Sequence, residues 1–132
     1  MSTSLKVEII TPISHIEIGE VDYLRLPGKG GLFGIKKNHA SSLISLQIGE
    51  VKIKKEGQIE YWATSGGILD LHNNSAQLLL EAVEKSSSID LERAESSKNR
   101  AKERLKEKSM NQARSKISLI KAINRLKVAK RS

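Results

Sequence analysis

The residues that allow sharp turns are confined to one part of this chain. All nine glycines and both prolines lie at or before Gly67, and neither type occurs again. A sheet needs such punctuation every few residues, whereas a helix is broken by it. The hydrophobic pattern changes with the punctuation. Residues 5–10, L-K-V-E-I-I, alternate apolar Leu5, Val7 and Ile9 with polar neighbours, and H-I-E-I, V-D-Y-L-R-L, S-L-I-S-L-Q-I, V-K-I-K-K, Q-I-E-Y-W-A, G-I-L-D-L and S-A-Q-L-L-L follow. Turn signals stand between them, among them Gly19-Glu20, Pro27-Gly28, Gly49-Glu50, Glu56-Gly57, Gly66-Gly67 and Asn73-Asn74. Roughly eight short strands at this spacing predict an antiparallel sandwich or barrel. Alternation places Val51, Ile53 and Ile59 inside, with Lys52, Lys54 and Glu60 in water.

After Glu84 the period becomes helical. Ser87 is the expected cap, with Asp90 three residues on, and Asp90 and Glu92 suit the positive end of the helix dipole. Leu91, Ala94, Ala101 and Leu105 then form a thin, alanine-rich stripe, and Asp90, Arg93, Arg100 and Arg104 share a neighbouring face. A second helix, about Gln112 to Ala129, carries a wider stripe of Ala113, Ile117, Ile120, Ile123 and Leu126, with Leu119 and Ala122 beside it. Arg114, Lys121 and Arg125 lie on its other side. The link K-S-M-N-Q has neither Gly nor Pro, so it permits a hairpin or a continuous helix. The expected fold is α+β: residues 1–85 an antiparallel β-sandwich, residues 86–132 a two-helix hairpin able to extend.

Charge divides the chain at the same place. Residues 1–85 hold 9 Lys+Arg and 10 Asp+Glu, and residues 86–132 hold 14 and 5, which together give the net charge of +8. From Ser109 onward there are seven basic and no acidic side chains. An acidic protein surface and a nucleic acid are both partners for such a tail. The apolar stripe on the same helix favours protein, and an aromatic content of 3% supplies no platform for stacking bases. A nucleic-acid-binding sandwich with a basic tail stays the alternative function.

The chain has no cysteine, which removes disulfides, thiolate zinc sites and cysteine nucleophiles. His15, His39 and His72 lack the close spacing of helix-borne metal sites, so no metal is expected. No nucleophile, base and orienting acid assemble into a catalytic set. The N-terminal residues lack a cationic segment followed by an apolar run, and no stretch reaches the ~18 apolar residues of a membrane-spanning helix, so direct membrane insertion is not expected. Residues 25–40, R-L-P-G-K-G-G-L-F-G-I-K-K-N-H-A, fit neither G-x-x-x-x-G-K-[ST] nor G-x-G-x-x-G. The glycines therefore read as a connection between strands, with Lys29, Lys36 and Lys37 in water.

Two segments carry a family resemblance. L-P-G-K-G-G-L-F-G-I-K-K-N-H-A-S-S-L-I-S-L-Q-I-G-E-V is similar to L-P-G-x-x-G-x-x-G-I-L-P-x-H-A-x-L-x-T-x-L-x-x-G, and A-T-S-G-G-I-L-D-L-H-N-N to A-V-S-G-G-F-L-E-V-x-x-N. These patterns belong to the epsilon subunit of bacterial F-type ATP synthases, and the resemblance spans nearly the whole chain. Lys36-Lys37 stands where the family usually has Leu-Pro. The resemblance implies a non-catalytic central-stalk subunit that couples the catalytic head to the membrane rotor ring of a proton- or sodium-translocating enzyme. Its implied partners are the gamma subunit, the ring and the catalytic alpha and beta subunits, at the cytoplasmic face of the bacterial inner membrane. Lys29, Gly30, Gly31 and His39 are carried over as ring contacts. Arg114, Lys121 and Arg125 are carried over as contacts of an extended inhibitory helix, which salt should weaken.

Some members bind ATP on the folded hairpin through I/L-D-x-x-R-A, matched here by Ile89-Asp90-Leu91-Glu92-Arg93-Ala94. Glu84, Arg100 and Arg125 also match, and Lys121 replaces a further Arg, keeping charge but losing the planar fork. The resemblance thus implies no required cofactor, and ATP as a regulatory ligand.

Overall fold

The structure, a computed structural model, describes residues 4–106 and 112–131. Ten strands come first: β1 (Leu5–Ile10), β2 (His15–Val21), β3 (Tyr23–Gly28), β4 (Gly31–Ile35), β5 (Ser42–Leu46), β6 (Gly49–Lys55), β7 (Gln58–Thr64), β8 (Gly67–His72), β9 (Ser75–Leu80) and β10 (Val83–Lys85). One 3-10 turn, Ser86–Ser88, leads to α1 (Leu91–Lys106) and α2 (Gln112–Ala129). The strands run β10-β7-β6-β3-β5-β8-β9-β1-β2, with β4 paired to β3 alone. Between β3 and β5 the only paired residues are Gly28 and Leu46, and there the sheet folds over on itself. All ladders are antiparallel except β1 with β9, which is parallel.

The two folded halves bury one core. Leu24, Leu26, Ile35, Val51 and Ile53 on one side meet Leu5, Ile9, Leu69, Leu71 and Leu78 on the other, none more than 2% exposed. Period-2 alternation correctly places Val51 and Ile53 inside, but it fails on β7. The register sets Ile53 opposite Glu60 and Lys54 opposite Ile59. Glu60 therefore shares the inner side with Trp62, and Lys85 Nζ lies 3.1 Å from its carboxylate. Ile59 falls on the outer face with Tyr61 and Ala63, and is 48% exposed.

The glycine-rich segment is more ordered than a connection. Gly31–Ile35 is a strand, β4, that turns back on β3 through Lys29 and Gly30, with Gly28 opposite Gly31. Its glycines make room for aromatic rings. A Cβ on Gly34 would stand 2.3 Å from the Tyr23 hydroxyl, and one on Gly28 would stand 2.8 Å from the Phe33 ring. Either contact is too short for a real side chain, so the sequence spends glycine here to seat neighbouring rings across the hairpin.

The two helices pack antiparallel to each other, and α2 lies on the β6–β7 face. Ala94 joins Leu126, Val128, Ala129, Ile89 and Ala63 in a second cluster, with Tyr61 against it. Ala101, a later turn of α1, borders Arg114, Ser115 and Ser118 near the start of α2. Most of K-S-M-N-Q lies outside the described residues. The α2 span matches expectation, but its buried side does not. Ile117, Ile120 and Ile123 are 44–51% exposed and Ala113 is exposed, while Leu126, Val128 and Ala129 are the buried residues. The cap differs too. Asp90 takes that role, its Oδ1 accepting the Arg93 N–H at 3.0 Å and its carbonyl the Ala94 N–H at 2.9 Å. Ser87 lies in the preceding 3-10 turn, and Leu91, the first helical residue, is 47% exposed rather than on a packed stripe.

Candidate functional site: the seam between sandwich and hairpin

Polar side chains of α2 meet carboxylates and carbonyls of the sandwich along one seam. Arg125 donates from Nε and Nη2 to the two oxygens of Glu84 at 2.8 and 3.2 Å. Lys121 Nζ lies 3.6 Å from Glu81, and Asn124 Nδ2 donates to the Gly49 carbonyl at 2.8 Å. At the far end Arg131 donates to both oxygens of Glu50 at 3.0 and 3.3 Å, with its guanidinium 4.8 Å from the Tyr61 ring centroid.

Glu50 is the unusual member. It is 6% exposed, and Arg25 Nη2 also donates to its Oε1 at 3.0 Å. Two guanidiniums on one buried carboxylate offset its desolvation, and the hydrogen bonds that Arg131 donates to Glu50 raise the Arg131 pKa above its ordinary value. Nothing in the sequence pattern marks Glu50, which stands beside a turn glycine. Only the β6–β7 pairing and the docking of α2 bring Arg131 to it.

The residues carried over for ATP separate into two groups. Glu84, Lys121 and Arg125 line one pocket with Ala63, Ser65, Glu81 and Val83, of about 200 Å³. Asp90, Arg93 and Arg100 do not line it. Asp90 caps α1, Arg93 is exposed, and Arg100 Nη2 lies 3.3 Å from the Ser97 hydroxyl of its own helix. Ile89 is buried in the second cluster. Ligand pockets for molecules of nucleotide size run to roughly 300–1,000 Å³, and both cations here already face carboxylates of the wall. The folded pocket is smaller than that range, and a ligand phosphate there would compete with Glu84 for Arg125.

The carried-over ring contacts also separate. Lys29, Gly30 and Gly31 form the tip of the β3–β4 hairpin, beside Leu43, Ile44 and Ser45. His39 follows the other end of β4, where its Nδ1 bonds the Ala40 carbonyl at 2.9 Å. Beside it the Asn38 N–H reaches Asn74 Oδ1 in the β8–β9 turn. Of the inhibitory contacts, Lys121 and Arg125 face the sandwich, whereas Arg114 is exposed.

Both parts of the chain match family models. Residues 4–86 match the ATP synthase delta/epsilon chain β-sandwich domain, and residues 87–130 match the delta/epsilon long α-helix domain. The chain belongs to the ATP synthase delta/epsilon family. It is 42% identical over 106 residues to the ATP synthase epsilon chain of Geotalea daltonii, covering 80% of this chain and 77% of that one. It is 34% identical over 131 residues to the epsilon chain of Desulforamulus reducens, covering 98% and 99%. A chain in the Euglena gracilis mitochondrial ATP synthase shares the fold, with a TM-score of 0.81 at 14% identity over 91% of this chain and 78% of that one. The nucleic-acid alternative gains no support. Lys121, Arg125 and Arg131, three of the tail's cations, are engaged by the sandwich's own carboxylates. Among the described residues no helix is long and apolar enough to cross a membrane.

Proposed function

We propose that this chain is the non-catalytic central-stalk subunit of a proton- or sodium-translocating F-type ATP synthase, peripheral at the cytoplasmic face of the membrane. The sandwich couples the gamma subunit to the rotor ring, through the Lys29–Gly31 hairpin tip and, from the opposite end of β4, His39. The hairpin inhibits ATP hydrolysis when α2 leaves the sandwich and enters the catalytic head. One observation carries this division of labour. α2 is held down by a short series of polar contacts while Ile117, Ile120 and Ile123 stand bare on the same helix. An apolar stripe with basic neighbours, loosely held, suits a second protein surface. On release, Lys121 and Arg125 exchange Glu81 and Glu84 for acidic groups of the catalytic subunits, and Arg114 joins them without losing a partner among the contacts described above.

Regulatory ATP enters this proposal only with rearrangement of the seam. Glu84, Lys121 and Arg125 hold the folded tail through contacts of the chain alone, and a nucleotide binding there would compete with those pairs. The decisive experiment adds the full chain, or a chain ending at Ser87, to a catalytic head lacking this subunit. Both are expected to bind, and only the full chain to slow ATP hydrolysis. Slowing by the truncated chain would remove the tail from the mechanism, and failure of both to bind would remove the stalk assignment.

A further inference from the structure

The outer face of β1 and β2 carries a group of side chains that belongs neither to the seam nor to the β3–β4 hairpin tip. His15 and Glu17, two residues apart on β2, point to the same side, and the antiparallel register sets Glu17 opposite Glu8 of β1. One imidazole nitrogen and one oxygen from each carboxylate lie within 4.8 Å of one another. His15 Nε2 is 2.7 Å from Glu8 Oε2 and 3.7 Å from Glu17 Oε1. A tetrahedral ion with bonds of about 2.0–2.1 Å to nitrogen and oxygen holds its ligand atoms ~3.3 Å apart. The two observed separations bracket that edge, so small side-chain rotations would bring all three atoms onto one ion.

The carboxylate of Glu8 is also supported from behind. Its Oε1 accepts a hydrogen bond from Gln77 Nε2 of β9 at 2.6 Å, which leaves Oε2 for the imidazole side. Metal-ligating carboxylates are oriented by such outer partners. An imidazole in the donor set points away from magnesium and calcium, which take oxygen ligands, and toward zinc and its neighbours. His15 keeps about half its side-chain surface exposed, at 54%, so water can complete the shell.

We propose that Glu8, His15 and Glu17 form a three-ligand surface site for zinc, with water as the fourth ligand. The ion would bridge β1 to β2, the strand that ends the sheet order, and would stabilise the sandwich as any ligand of the folded state does. The sequence reading missed it because it looked for helical His spacing. The signal is H-x-E on one strand with a Glu on the neighbouring strand, and strand pairing alone brings the third ligand in.

The test is calorimetric titration of zinc chloride into the full chain in a non-chelating buffer, with the His15 ring followed by NMR. The expected result is one zinc per chain with the His15 ring signals shifted. Binding should weaken at least ~10-fold in Gln77→Ala and more in His15→Ala, while His39→Ala and His72→Ala leave it unchanged. Magnesium at equal concentration should not compete. Absence of saturable binding, equal affinity in His15→Ala, or equal competition by magnesium would each overturn the site and leave an ordinary hydrogen-bonded His–Glu pair. Because His15 is exposed, metal-free His15→Ala should retain the wild-type NMR fold pattern elsewhere, so its loss of binding reads the ligand and not the fold.

Discussion

The sandwich and the hairpin cohere by different means. Among the described residues, seventeen buried side chains, most of them branched aliphatics, form the sandwich core, whereas the cluster joining helices to sandwich has six, three of them alanines. At about 25 cal/mol per Å² of apolar surface, alanines contribute little, so the first cluster dominates and the second is marginal. The seam makes up the difference with directed polar contacts. Such contacts are lost abruptly when geometry changes, whereas a packed core resists gradually. A stalk that transmits torque needs the packed core, and the releasable tail proposed above needs the polar seam.

The largest expected effect breaks the strong side of this contrast. Leu24→Ala or Leu69→Ala, each replacing a fully buried side chain, should destabilise the protein by about 2–5 kcal/mol in urea unfolding. The helices should lose protection along with the strands, because α2 rests on β6 and β7. If the helices kept their hydrogen-exchange protection after the strands had lost theirs, the hairpin would have its own source of stability and the comparison would fail.

A smaller effect, of about 2–3 kcal/mol, is expected from Glu50→Ala, below the range for a fully buried ion pair because both guanidiniums keep some solvent access. Its character matters more than its size. Exchange should rise along α2 with the inner strands β8 and β9 unchanged, and inhibition of hydrolysis by the full chain should increase because the released form is more populated. Uniform loss of protection across both parts would mean that Glu50 supports the sandwich alone.

How much of this was legible beforehand follows from which interactions are local. The strand periods and the span of α2 depend on neighbours in sequence, and Val51, Ile53 and the Gly and Pro positions reveal them. Ile59 was misplaced because the face it takes is decided by pairing with Lys54 and by helices that cover only the far part of β7. β4 was hidden because glycines that usually mark loops here relieve clashes with Tyr23 and Phe33. The carried-over sets Glu84–Lys121–Arg125 and Asp90–Arg93–Arg100 looked like one site because a motif has no spatial dimension. The capping demand at the start of α1 takes Asp90, and the Glu84 carboxylate takes Arg125. Ser87 lost the cap for a related reason, since the 3-10 turn delays the helix until Asp90 can accept two N–H groups.

The smallest expected effect on stability probes the bare stripe, and it sharpens the comparison most. Ile120 is 51% exposed in the folded chain. Ile120→Asn should therefore change unfolding free energy by no more than about 0.5 kcal/mol, as surface substitutions do, whereas an isoleucine packed in a core would cost several times that. The same substitution should reduce inhibition of ATP hydrolysis, because it removes apolar area from the helix that docks while leaving Arg114, Lys121 and Arg125 in place. A large stability loss would mean that the stripe is packed in solution and α2 sits differently on its neighbours. Unchanged inhibition together with unchanged stability would mean that charge alone seats the tail, and its salt dependence would then be steep.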